Sequence, residues 1–584
     1  MSSTRPTGRA RRRAGAAALI AGLLGLLSPA VASAFDPVLE AKNFAKVSER
    51  NIYVTGTPEF QLRLQRQNIE DVGVLEQILL NDPERGPFNI CSNRKNECAG
   101  DVRFYDWEES GYGVMTPVLF TGRSGATISG AVWGTLAGPA QRPAIVITTG
   151  SVQAPETLYW GLAAVFAKAG YIVLTYDVQG QARSDTFGED PDEQEGVPSQ
   201  RGQPFFDGTE DALDFLLSTP ASPYDPRPSC GNANDGVGTD HSPKHDRRVT
   251  SGLNAAFNPM HSLVDPGRIG IAGHSLGASA VSFVGQRDPR VDAIVAYDNL
   301  SAPGQGNFGG QECPSAPGSR EAPPITKPAI GLSNDYGLIP TPYTADPDPQ
   351  GKNNAFQAYR DAGVDSMQVN IRGGTHYESS LIPGNTIPVL GTGSRRGQDL
   401  VAWYSLGWFD KYVKGDPGAD ARLLTDRWCE DQLTREVDQN DDGNMYSFYF
   451  RSRHDFALAG GGRATSEDMR AGCPATPSDP AYDFVAAANT PDGPGPSTTD
   501  TDGDGVIDSS DSCPTVSGPV AGDGCPQPQS APGPSGGPRP VFRARPRCGK
   551  LRKKLRKAKR PAAKLRIRQR LRKRGCLHGR RPRR

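Results

Sequence analysis

The pentapeptide Gly273-His274-Ser275-Leu276-Gly277 sets a serine between two glycines, after the short apolar run Ile269 to Ala272 and before a segment of helical character that opens at Ala278. Where a strand turns sharply into a helix, the backbone folds back on itself, side chains must be absent on either side, and the central hydroxyl is left exposed at the tip. Ser275 is therefore the candidate nucleophile. The chain contains its own control, because Gly533-Pro534-Ser535-Gly536-Gly537 fits the same pattern in a Pro/Gly-rich tract with no strand before it. Context, and not the pattern, carries the assignment.

A serine hydroxyl at its free pKa is a weak nucleophile and requires a base, and the base requires an orienting acid. Of seven histidines, His376 in Gly373-Gly374-Thr375-His376 follows the last expected strand, where a flexible turn aims an imidazole at the C-terminal edge of a sheet. His274 adjoins the serine and is expected to point elsewhere. His241, His245 and His261 precede the nucleophile, and His454 lies beyond the final expected helix. For the acid, Asp335 follows the run Ala329 to Leu332 and gives the chain order Ser275, Asp335, His376, while Asp298, after the preceding run, is its rival. Either aspartate could instead cap a helix or form a turn, as most loop aspartates do. Acyl transfer also needs backbone donors for the developing oxyanion, each worth ~3 kcal/mol in the transition state. The Leu276 N–H is one, and Ser151, in the turn Thr149-Gly150-Ser151-Val152, is the expected second.

These residues need a scaffold, and from Val114 onward the chain supplies one by alternating short β-rich runs with helical patterns. The runs are Val114 to Phe120, Ile128 to Trp133, Ala144 to Ile147, Tyr171 to Tyr176, Ile269 to Ala272, Ala293 to Ala296, Ala329 to Leu332 and Met367 to Ile371. Most are continuously apolar, as parallel strands buried on both faces require. Helices are expected at Leu158 to Ala169, Glu210 to Leu217, Ser279 to Gln286, Ala355 to Ala362 and Asp399 to Lys414, with Gly170 and Gly363 placed as C-caps. The pattern predicts an α/β fold with a mostly parallel central sheet and helices on both faces. Two inserts, Pro220 to Asn258 and Asn299 to Lys327, lack apolar periodicity; the second is expected to form either a short lid or a surface loop.

Three elements together resemble the α/β-hydrolase superfamily, most closely its secreted esterase and dienelactone-hydrolase-like branches. They are the Gly273 to Gly277 elbow, the stretch Tyr176-Asp177-Val178-Gln179-Gly180-Gln181-Ala182-Arg183-Ser184-Asp185 after a strand, and the Gly-Gly-Thr-His turn. The resemblance covers about residues 114–415 and implies an α/β-hydrolase fold and a serine hydrolase acting on carboxylic esters. Thr149-Gly150 stands where that family often has His-Gly before the oxyanion donor. A serine peptidase and an inactive calcium-dependent envelope-binding protein are the alternatives.

The remaining segments point to export. Residues 1–34 read as a signal peptide, with Arg5, Arg9 and Arg11 to Arg13 before the apolar stretch Ala14 to Leu27 and the site Ala32-Ser33-Ala34. That stretch is shorter than the ~20 residues of a membrane span, so no transmembrane anchor is expected in the mature chain. The triple arginine leaves Sec and twin-arginine export both open. Ten cysteines without a C-x-x-C pair fit disulfides, with neighbours in sequence as the simplest pairs: Cys91 with Cys98, Cys230 with Cys313, Cys429 with Cys473, Cys513 with Cys525, and Cys548 with Cys576. The expected divisions are 35–113 as an N-terminal extension, 114–415 as the catalytic domain, 416–485 as a C-terminal extension, 486–499 as a linker, 500–526 as a calcium repeat, 527–547 as a second linker and 548–584 as a basic tail.

In the repeat, Asp500, Asp502, Asp504, Asp508 and Asp511 occupy loop positions 1, 3, 5, 9 and 12 with Gly505 at 6, and hard oxygen ligands at that spacing suit calcium. The segment resembles a single thrombospondin type 3 repeat. Asp438 to Gly443 matches only the first half of such a loop and reads as a turn. The formal net charge of zero hides a segregation: residues 539–584 carry 23 Lys or Arg and no Asp or Glu, against 37 basic and 65 acidic residues between 35 and 538. That tail is expected to adhere to polyanionic cell-envelope polymers or other anionic surfaces, through either a helical hairpin or a solvated chain. It has no base-reading motif for sequence-specific nucleic acid binding.

Overall fold

Every apolar run named above becomes a strand in the computed structural model, which describes residues 36–51, 62, 80–82, 84–85, 113–151, 154–189, 202–229, 238–303, 322–380, 395–427 and 446–472. These residues all belong to the first of two units, 1–497 and 498–584. The segments read as the signal peptide, the calcium repeat with Asp500 to Asp511 and the basic tail, all ten cysteines, and residues 304–321 of the second insert lie outside the described residues.

The strands are β1 (Gly113–Thr121), β2 (Thr127–Thr135), β3 (Arg142–Thr148), β4 (Ile172–Tyr176), β5 (Val264–His274), β6 (Ala293–Tyr297), β7 (Ala329–Asn334), β8 (Ser366–Ile371), β9 (Arg453–Ala457) and β10 (Arg463–Ser466). They form one sheet in the order β1-β2-β4-β3-β5-β6-β7-β8-β9-β10. The six central strands, β4 to β8 with β3 among them, pair in parallel, and antiparallel strands flank them on both sides. β9 and β10 were not expected, because Arg453-His454-Asp455-Phe456-Ala457 and Arg463-Ala464-Thr465-Ser466 have too little apolar content to read as strands. As strands at one margin of the sheet they need bury only part of their surface.

The helices are α1 (Pro37–Asn51), α2 (Trp160–Lys168), α3 (Gln203–Leu217), α4 (Ser242–Thr250), α5 (Leu276–Arg287), α6 (Asn354–Asp361), α7 (Arg395–Phe409) and α8 (Ala419–Leu423); a π-helical turn, Asp410–Lys414, extends α7 and ends at Gly415. Alternate side chains of the parallel strands face opposite ways and build two cores. Ile145, Ile147, Val173, Val295, Leu332 and Val369 pack with α2 and α7, while Ala144, Val146, Leu174, Ile271 and Ile294 pack with α3, α5 and α6. Helices thus cover both faces of a mostly parallel α/β sheet. Close approach is enforced by small residues, since a Cβ on Gly285 of α5 would stand 2.5 Å from Cγ1 of Ile294.

Polar contacts hold the parts that the apolar pattern did not reveal. Within the insert, α4 buries Lys244, His245 and Arg248 instead of an apolar stripe. Arg248 is held by both carboxylate oxygens of Asp82, at 2.8 and 2.6 Å, and Arg85 by Asp185 at 2.7 Å. Glu40 of α1 is buried and accepts hydrogen bonds from the Tyr336 hydroxyl at 2.8 Å, the Tyr343 N–H at 2.9 Å and the Tyr449 hydroxyl at 2.6 Å. The N-terminal extension is thereby pinned to the body at separate points.

Among the described residues no helix is long and apolar enough to cross a membrane.

Candidate active site

The chain passes from β3 to β4 on one side and to β5 on the other, so the winding direction reverses between β3 and β5. Open α/β sheets leave a crevice at such a point, beyond the carboxyl ends of the strands. Ser275 stands there, between β5 and α5, with φ of 58° and ψ of −117°. A serine pays to occupy that backbone region, and the neighbours hold it in place. Its N–H donates to the Tyr297 carbonyl at 3.0 Å, and its carbonyl accepts from the Ser279 N–H at 3.2 Å. The flanking glycines are required by contact: a Cβ on Gly273 would lie 2.3 Å from the Gly277 carbonyl oxygen, and one on Gly277 would lie 2.4 Å from that of Thr149. The β3 loop and the elbow therefore touch backbone to backbone.

Of the two expected oxyanion donors, one lies on the elbow and the other on the β3 loop. Leu276 is the first residue of α5, so its N–H has no acceptor within the helix. In the β3 loop, Gly150 lies so close to the elbow that a Cβ on it would stand 3.3 Å from that of Ser275. The Gly150 N–H donates to the Tyr159 hydroxyl at 3.0 Å. With Gly150 committed, Ser151 is the next donor along the loop, and it is partly buried.

His376 follows β8, and its Nδ1 lies 2.6 Å from Oδ2 of Asp298, which follows β6. Oδ1 of Asp298 accepts from the Ser333 hydroxyl at 3.1 Å. Burial pushes the Asp298 carboxyl up, but the hydrogen bond and charge of His376, with Lys352 adding to them, more than reverse this and hold it well below its ordinary range. An ionised carboxylate accepts only, so Nδ1 of His376 carries the proton that it donates to Asp298.

The expected partner, Asp335, is not brought to His376. Its Oδ2 accepts from the Gly373 N–H at 2.8 Å, and its Oδ1 accepts from the Ser447 hydroxyl. Burial raises the Asp335 carboxyl, opposed by the Arg372 charge and these hydrogen bonds. The pairing Asp335–His376 is therefore corrected to Asp298–His376, and Asp335 instead ties the end of β7 to the turn after β8 and to the segment before β9. Both aspartates follow strand ends, so the sequence held no signal that separated them. Nor did it reveal Tyr159, whose hydroxyl reaches Nδ1 of His274 at 2.7 Å across 115 positions of sequence.

No known family model matches this chain, and no curated protein matches it in sequence. The reading of the site consequently rests on its own geometry. Among the described residues no group of three or more His, Cys, Asp or Glu side chains is placed to hold a metal ion.

Proposed function

We propose that the chain is a serine hydrolase of α/β-hydrolase type that cleaves carboxylic esters through an acyl-enzyme on Ser275. What supports this reading is a serine held at φ of 58° at the switch point of the sheet, together with an imidazole whose Nδ1 is held 2.6 Å from a carboxylate and whose ring stands 4.6 Å from that of His274, the residue before the serine. Strained backbone and an oriented imidazole together are what an activated hydroxyl requires. Asp298 takes the orienting role that the sequence had assigned to Asp335.

In the reaction, Nε2 of His376 accepts the Ser275 proton as Oγ attacks the ester carbonyl. Asp298 keeps the imidazole in the Nδ1–H tautomer and stabilises the imidazolium that forms. The negative charge on the carbonyl oxygen is met by the N–H groups of Leu276 and Ser151. Collapse of the tetrahedral species expels the alcohol, which takes its proton from His376, and a water activated by the same imidazole then releases the acid and restores Ser275.

The proposal extends to the segments around the domain. Residues 1–34 direct export and are removed. Asp500, Asp502, Asp504, Asp508 and Asp511 hold a structural calcium ion that takes no part in the chemistry, and the basic tail holds the enzyme to polyanionic envelope polymers.

Treatment of the purified mature chain with a fluorophosphonate, beside Ser275→Ala, tests the reading. An adduct mapped to Ser275 and absent from the variant, with turnover of p-nitrophenyl esters and none of peptide anilides, is the expected result. Cleavage of the anilides would favour a peptidase. Absence of both adduct and turnover in folded, calcium-loaded protein would favour a binding protein.

A further inference from the structure

Nucleophile, oxyanion loop and base sit at the ends of three different strands, β5, β3 and β8, and one buried side chain hydrogen-bonds toward the other two. His274, the last residue of β5, is 2 % exposed. Its Nε2 lies 2.7 Å from the main-chain carbonyl oxygen of His376, and its Nδ1 lies 2.7 Å from the Tyr159 hydroxyl, which in turn accepts the Gly150 N–H at 3.0 Å. The rings of His274 and His376 are 4.6 Å apart.

The direction of every bond in this chain follows from its ends. A carbonyl has no proton to give, so Nε2 of His274 donates to it. A neutral imidazole carries a single N–H, so Nδ1 accepts and the Tyr159 hydroxyl donates. The lone pairs of Tyr159 are thereby left to receive the Gly150 N–H. A second proton on His274 would oblige the Tyr159 hydroxyl to turn its own proton away and would put a positive charge beside His376. Burial opposes that protonation, lowering the His274 value to about 3, with the neighbouring His376 acting in the same direction.

We propose that His274 is a positioning residue, one that through a directed hydrogen-bond relay from Gly150 by way of Tyr159 to the His376 carbonyl holds the oxyanion loop and the base loop in register with Ser275. The proposal rests on the serine hydrolase reading. It touches neither substrate nor the reacting atoms; it fixes the backbone from which the Ser151 donor and the His376 ring project. Misplacement of catalytic groups by ~1 Å can cost roughly a hundredfold in rate, and a loss of that size, confined to kcat, is the signature of such a residue.

Three variants of the full chain test it by steady-state hydrolysis of p-nitrophenyl butyrate, with near-ultraviolet circular dichroism as a check of folding. His274→Phe removes both hydrogen bonds and is expected to lower kcat by roughly 30- to 100-fold while KM changes by no more than about threefold. His274→Gln presents an acceptor and a donor on one carbon, much as the N–C–N edge of imidazole does, and is expected to recover most of the loss. Tyr159→Phe leaves His274 in place but breaks the relay, and is expected to lower kcat by roughly tenfold. It remains a test if His274→Phe does not fold. Wild-type kcat in Tyr159→Phe or in folded His274→Phe would overturn the proposal. So would equal losses in folded His274→Phe and His274→Gln, which would assign the residue to shape alone. A wild-type chain with neither turnover nor a Ser275 adduct would instead remove the hydrolase reading, and the relay's role with it.

Discussion

At the ends of two neighbouring parallel strands, β6 and β7, the chain carries the same side chain in two settings. Asp298 faces an imidazole across 2.6 Å, and the cationic groups around it outweigh its burial. Asp335 is met by a main-chain N–H and a hydroxyl, with the Arg372 charge nearby, and its burial outweighs all three. One carboxyl is thus held below its ordinary value of 3.8 and the other above it. Position after a strand makes an aspartate available to a base, but what lies opposite decides whether it serves one. Four changes would break or sharpen this contrast.

The largest effect belongs to Asp298. Replacing it by asparagine keeps the shape but offers Nδ1 an amide, favours the wrong tautomer, and is expected to lower kcat by about 10⁴-fold with KM nearly unchanged, as ester hydrolysis will register. Next comes Gly277→Ala, which leaves both aspartates intact. The added Cβ would meet the carbonyl oxygens of Thr149 and Thr148 at 2.4 and 2.6 Å, both of them backbone, so the loop after β3, proposed to supply an oxyanion donor, must move. A loss of roughly 10²- to 10³-fold in kcat, the scale of one misplaced oxyanion donor, with the His376–Asp298 pairing still visible by NMR, would separate damage to the loop from damage to the acid.

Asp335→Asn is expected to leave kcat within about threefold of wild type, since the asparagine side-chain oxygen can still accept from the Gly373 N–H and the carboxyl does not meet the imidazole. Its effect is on how stability depends on pH. A carboxyl raised in the fold contributes stability that is fully present below its unfolded value and lost as pH rises through its folded value; one lowered in the fold contributes stability present above its unfolded value and lost as pH falls through its folded value. Denaturant melts across pH will therefore show the Asp335 variant losing a decline on the alkaline side of 3.8, and the Asp298 variant losing a decline on its acid side. The smallest effect is predicted for Glu40→Gln. It weakens three hydrogen bonds to Tyr336, Tyr343 and Tyr449, on the Asp335 side of the site, and should cost about 1–3 kcal/mol of stability with kcat unchanged.

What the sequence disclosed follows the same division between local and distant causes. β1 to β8 were legible because each holds a short β-rich run, most of them continuously apolar, and the elbow was legible because two glycines and a serine meet at one strand end. α4 was not, since its buried residues are Lys244, His245 and Arg248 and their counterparts, such as Asp82, are far away in sequence. The choice between Asp298 and Asp335 failed for a related reason: both follow strand ends, and only the packed loops determine which carboxylate His376 meets. Tyr159 and His274 are joined by tertiary structure alone, and no spacing rule connects them.

The rate at which a fluorophosphonate modifies Ser275 at neutral pH, compared among the wild type, Asp298→Asn and Asp335→Asn, tests the central claim most directly. The geometry predicts rapid labelling of the wild type and of Asp335→Asn, at rates within about threefold of each other, and labelling of Asp298→Asn slowed by roughly 10³-fold or more. Slow labelling of Asp335→Asn beside fast labelling of Asp298→Asn would return the acid's role to Asp335, and absence of any Ser275 adduct in the folded wild type would contradict the account as a whole.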